Sequence, residues 1–140
     1  MGVKAFLLLF VLCMFSNSSF AKWSFITTNS TGDRYYVDFS RVTKEGNEVY
    51  FWTLSNYTVP VFRSFSATSY ILGDCTNFRY QSLKHTFYKN VGAQGNSREV
   101  SPEMLQRWGW RYPDVEGSDY LLLQSVCTVE TFSINELYRD

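Results

Sequence analysis

The sequence predicts an α+β domain: a mainly antiparallel sheet of about six strands, with a C-terminal helix packed on it and tied to it by one disulfide. Three observations carry this prediction. Short runs of alternating aromatic and β-branched residues recur between turn signals, and such residues favour strands. One late stretch, Gly117–Cys127, has a candidate N-cap in Ser118, a first-turn carboxylate in Asp119 and an apolar face formed by Tyr120, Leu121, Leu123 and Val126. Two cysteines, Cys75 and Cys127, stand in what reads as the exported part of the chain, where an even pair reads as one disulfide. Two free buried thiols are the alternative. A bridge would close a loop long enough to be worth about 4 kcal/mol on the chain-entropy account.

Export is read from residues 1–21. Lys4 supplies a positive start, and Ala5 to Phe15 is an apolar run too short to span a bilayer. Ser19 and Ala21 are small residues placed for a cut before Lys22. Cys13 does not read as a lipid attachment site, because Leu12 precedes it where a small residue is needed. Residues 22–140 then form a single domain with no second long apolar run, hence no transmembrane segment after signal removal. The expected location is periplasmic, secreted or cell-surface associated.

Trp23–Thr28 reads as a first strand, and Asn29–Asp33 as a turn. Arg34–Phe39 is the second strand, followed by a turn over Thr43–Asn47. Glu48–Asn56 carries bulk on both faces and reads as a central strand. Pro60 cannot donate to a central ladder, so Val59–Val61 reads as a loop or an edge. Phe65–Leu72 is the fourth strand, and Gly73-Asp74 a tight turn. Cys75 to about Tyr88 is extended, Asn90–Asn96 a glycine-bearing loop, and Ser97–Val100 a short sixth strand. Ser101-Pro102-Glu103 starts a short helix, with proline at its first position. Trp108–Pro113 is an aromatic connector, and in the tail Phe132, Ile134 and Leu137 are candidates to cover the core edge.

The chemistry-bearing residues are sparse. His85 is the only histidine, and it sits in the polar run Lys84-His85-Thr86, where a solvated or edge position is expected. No cluster of His, Cys and carboxylates has metal-ligand spacing. Asp33 and Asp38, and Glu45 and Glu48, read as solvated turn carboxylates rather than as a hydrolase pair. Gly92–Gly95 lacks the Lys and Ser or Thr that complete a phosphate loop. These readings imply no enzyme and no cofactor.

Lys and Arg total 13, as do Asp and Glu, yet the charge is unevenly spread. Residues 76–111 hold six basic residues (Arg79, Lys84, Lys89, Arg98, Arg107 and Arg111) against Glu99 and Glu103. This is too mild for a nucleic-acid binder. Trp, Tyr and Arg dominate binding hot spots. Arg79, Lys84, Lys89, Trp108, Trp110 and Arg111 are therefore the candidate partner-binding residues, and packing of the same aromatics into the core is the competing reading.

The order of Trp23, Tyr36-Val37-Asp38, Val49–Trp52, Asn56-Tyr57, Ser69, Asp74-Cys75 with Arg79, and a helix ending Ser125-Val126-Cys127 resembles the surface-adhesin protein E family of Gram-negative bacteria. The resemblance covers about residues 22–128. It implies a six-stranded sheet with a C-terminal helix tied by the cysteine pair, and binding of host extracellular-matrix and plasma proteins. The expected function is a non-catalytic exported binding protein of that type, with a soluble periplasmic binding or enzyme-inhibitor module as the second expectation. A homodimer through a strand edge near Pro60 or Phe65 is a further one.

Overall fold

The computed structural model describes residues 21–129. The expected signal peptide up to Phe20, and Phe132, Ile134 and Leu137 of the tail, lie outside them. One antiparallel sheet carries the domain: β1 (Ser24–Thr28), β2 (Arg34–Val37), β3 (Thr43–Glu45), β4 (Glu48–Val61), β5 (Ser64–Asp74), β6 (Arg79–Asn90) and β7 (Gln94–Glu99). Its order is β1-β2-β4-β5-β6-β7, with β3 also paired to β4. Two helices follow, α1 (Pro102–Trp108) and α2 (Ser118–Cys127). Strands in meander order with short turns leave both helices for the end of the chain, as the sequence suggests.

The seventh strand is β3, formed where a turn was expected. Its three residues pair with Glu48–Tyr50 on the same side of β4 that β2 pairs higher up. A single 3-10 turn, Phe39–Arg41, separates β2 from β3. Asp38 caps that turn through the Ser40 amide, so β2 and β3 act as one interrupted strand along β4. Asp38 is completely buried, not solvated. Burial alone would raise its pKa, but hydrogen bonds from Ser40, Arg41 and the Lys22 amide outweigh that and hold it below the usual carboxylate value.

Other boundaries move for local reasons. Gly73-Asp74 is not a turn: both pair on two sides within β5, and the turn falls at Cys75–Phe78. β4 runs on through Pro60 to Val61, but its ladder to β5 breaks between Asn56 and Val61, so the proline forfeits no bond there. The β4–β5 hairpin closes on Phe62 and Arg63, both at positive φ (46° and 63°). Side chains with a Cβ occupy that region at a cost of about 1 kcal/mol each. β7 starts at Gln94, inside the expected loop. The terminal strands of the sheet are β1 and β7, and β5 is paired on both sides only from Ser66 to Asp74, so the segment near Pro60 and Phe65 lies where the ladder is interrupted.

The core lies on one face. Val37, Val49, Phe51, Ile71 and Tyr80 from the strands meet Leu122, Leu123 and Val126 of α2. Leu123 and Val126 pack as expected, but helical spacing puts Leu122 in that row and leaves Leu121 exposed. Gly117, not Ser118, is the N-cap, without a side-chain bond. Asp119 instead accepts the Tyr80 hydroxyl. At the other end Lys44 donates to the carbonyls of Cys127 and Val129, where the helix dipole favours a cation. The Cys75–Cys127 disulfide pins this end of the helix to the end of β5, with Cα atoms 5.7 Å apart.

Gly73 sits beneath the helix. A Cβ there would come 2.6 Å from Leu123 Cδ1 and 2.8 Å from Val49 Cγ1. Gly73→Ala is expected to cost about 2 kcal/mol by overpacking. In Gly73→Ala/Leu123→Ala the new methyl fills part of the space left by the leucine. Urea unfolding of the four chains should then give a double mutant less destabilised than the sum of the two singles. Additive losses would show that the two side chains do not compete for one space.

Candidate functional site

The six residues singled out in the sequence are divided among several places. Arg79 is held by Asp74 at 3.1 Å and stacks its guanidinium 4.3 Å from the Trp110 ring. Lys84 points to the sheet face away from the helices, 3.7 Å from Glu99. Lys89 lies at the far end of the sheet, with Arg63 and Arg98. Only Trp108 and Arg111 share a cleft, and Trp110 flanks it through Arg79. Alternation along β6 and a bulge at Leu83 are the cause: neighbours in sequence face opposite sides of the sheet, and the bulge turns Lys84 away from the face that Tyr80 and Ser82 share.

The cleft opens between the sheet and the two helices and encloses about 240 Å³. Tyr35, Tyr57, Tyr80, Trp108, His85 and Arg111 form its walls, with Ser69 and Ser82 on its floor. Arg111 is drawn in by a two-way backbone bridge to Tyr80. Its guanidinium lies 4.8 Å from the Tyr80 ring centre and 5.6 Å from that of Trp108, and makes a long 3.4 Å hydrogen bond to Ser82. His85 is not a solvated edge residue. Its ring packs against Phe87 and Trp108, and Nδ1 is hydrogen-bonded to the Ser69 hydroxyl at 2.5 Å. Burial, and then the Arg111 charge, lower its pKa to about 4. Burial likewise pushes the Tyr57 phenol up to about 12. Nucleophilic catalysis would need such a Ser–His pair to be joined by an orienting third group and oxyanion donors.

The opposite face of the sheet bears a second set of residues that the sequence reading passed over. Tyr50, Trp52 and Tyr70 stand side by side across β4 and β5, the Trp52 and Tyr70 rings stacked at 5.1 Å and the two tyrosines 6.2 Å apart. Arg41 lies over Trp52 at 5.2 Å and Trp23 at 5.7 Å, while its Nε holds the buried Asp38 at 2.7 Å. Trp23, Arg41, Trp52, Thr68 and Tyr88 border a hollow of about 470 Å³ here. These rings are only half-buried, and no helix among the described residues packs over them. The alternation Tyr50-Phe51-Trp52 was the available signal: both faces are bulky, but only one can meet α2.

Among the described residues no group of three His, Cys, Asp or Glu side chains could hold a metal ion. No helix there is long and apolar enough to cross a membrane. The fold and its two aromatic, arginine-bearing surfaces define a disulfide-tied binding module built on a single antiparallel sheet. A family model described as surface-adhesin protein E matches residues 23–128, so the chain belongs to that family. Solved structures of Haemophilus influenzae protein E share the fold. Crystal form II is 16% identical with a TM-score of 0.52, covering 75% of this chain and 86% of that one. The selenomethionine form is 17% identical with a TM-score of 0.51, covering 75% and 84%. No curated protein matches the chain.

His85 gives the cleft a pH signature. Its folded pKa lies below the ordinary histidine value near 6.5. The unfolded chain therefore binds the extra proton first as pH falls. The neutral, packed state is fully favoured above about 6.5, and stability declines between about 6.5 and 4. Urea melts across that range should show this loss, and His85→Gln should flatten it. An equal slope in both proteins would mean that other groups set the acid sensitivity.

Proposed function

We propose that this is an exported, non-catalytic binding protein that engages host extracellular-matrix or plasma proteins through the uncovered aromatic face of its sheet. Membership of the surface-adhesin protein E family is the observation that carries the reading. The chemistry of the face supports the choice of surface. Half-exposed Tyr and Trp rings supply large contact area at low entropic cost, and Arg41 is already immobilised by Asp38. Lys84 at the rim adds a cation that steers approach without dominating affinity. The cleft residues Trp108 and Arg111, flanked by the Arg79–Trp110 stack, offer a second, smaller polar surface on the helix side. The protein reaches its partners after signal-directed export, with the cut before Lys22.

Surface plasmon resonance of the purified 22–140 chain against laminin, vitronectin and plasminogen tests the reading. Micromolar or tighter binding to at least one is expected. Trp52→Ala should weaken it about tenfold or more, the scale of a hot spot, with little change in melting temperature because the ring lies outside the core. Arg111→Gln should leave it nearly unchanged. Absence of binding to all three, together with protein found only in the periplasm on fractionation, would replace the host-adhesion reading with the periplasmic one.

A further inference from the structure

The β4–β5 hairpin tip is built at a conformational cost. Two-residue turns with positive φ at both central positions favour Asn and Gly, yet here they carry Phe62 and Arg63. Phe62 and Val59 are each 70% exposed, and Phe65 and Val91 at the same end are exposed as well. The Phe62 ring rests edge-on against Phe87 at 5.5 Å, and Arg98 donates to the Phe62 carbonyl at 3.3 Å, so the ring is held projecting rather than left loose. The neighbouring β6–β7 turn is joined to this end by the Gly92 amide, which donates to Asn56 at 2.8 Å.

Three cations surround the tip. Arg63, Lys89 and Arg98 line one open basin of about 220 Å³ with Phe62 and Phe87, and no carboxylate lines it. None of the three is ion-paired with a described residue. Glu99, next to Arg98 in sequence, faces Lys84 instead.

We propose that this tip docks on an anionic phospholipid surface, with Phe62 and Val59 entering the headgroup–acyl boundary and Arg63, Lys89 and Arg98 meeting lipid phosphates. Exposed apolar side chains beside three cations suit the interfacial zone, where apolar groups gain by immersion and basic groups gain near anionic headgroups. A soluble polyanion would use the cations and leave the apex idle. A protein partner would need a pocket for Phe62 and acidic groups in fixed places. Guanidinium forks of Arg63 and Arg98 match phosphate oxygens bidentately.

Co-sedimentation of residues 22–140 with sucrose-loaded vesicles tests this. Partition onto vesicles holding a quarter phosphatidylglycerol should exceed partition onto pure phosphatidylcholine and fall with added salt. Arg63→Gln/Lys89→Gln/Arg98→Gln should reduce it by about a hundredfold, since each cation near such a surface is worth about fivefold. Phe62→Ser should reduce it by about tenfold and leave the salt dependence. Phe62→Trp supplies a direct readout in a folded chain: brominated phosphatidylglycerol should quench its fluorescence beyond the quenching of the native tryptophans. Equal partition onto both vesicle types, no added quenching in Phe62→Trp, or binding to soluble heparin without vesicle binding would each overturn the proposal.

Discussion

The approach of Leu123 to Gly73 is the contact on which the rest of the structure depends. α2 lies close enough to the sheet that no side chain fits beneath it, and only glycine leaves that room. The seat sits two residues before Cys75, so apolar packing and the covalent tie act on the same few ångströms of β5. With the helix seated, Tyr80 meets Asp119, Lys44 reaches the last helical carbonyls, and the core row Val37, Val49, Phe51 and Ile71 is closed on one side only.

That one-sidedness decides where binding surface remains. A single short helix covers one end of one face, and α1 covers part of the rest against β6. The reverse face keeps its aromatic residues half in water, as a sheet with one packed side permits. Burying Asp38 beneath Arg41 adds order to that face. The carboxylate, held by Ser40 and the Lys22 amide as well, fixes a guanidinium between two tryptophans. Removing Arg41 would leave the buried Asp38 carboxylate without its cation. Arg41 is therefore as much part of the scaffold as of the surface.

The fold was largely legible because its signals are local. Alternation marked β2, β4 and β6, proline after serine marked α1, and the cysteines marked the tie. What escaped was set by tertiary pairing. β3 exists only because β4 is long enough to hold two partners along one edge. Gly73-Asp74 has the composition of a turn but is held extended by ladders on both sides. Leu121 and Leu122 exchanged roles because a run of three leucines does not reveal which way the helix faces. The candidate site was less legible for the same reason. A segment rich in Arg, Lys and Trp looks like a patch when written in a line, yet in β6 successive residues alternate between the two faces and a bulge at Leu83 shifts the pattern. His85, polar by its neighbours in sequence, is enclosed by neighbours in space, Phe87 and Trp108.

The bridge from Cys75 to Cys127 also determines what a protease can do to this molecule. Between the two cysteines lie β6, β7, α1, nearly all of α2, and the turns at residues 91–93 and 115–116. A nick in either turn leaves two polypeptides joined by a sulfur–sulfur bond, with the helix still on its glycine seat. A nick in the β4–β5 turn cuts outside that covalent ring and leaves the two pieces joined only by noncovalent pairing. Wherever proteases reach the molecule, a cut between Cys75 and Cys127 leaves a covalent tie between the pieces, and a cut before Cys75 does not.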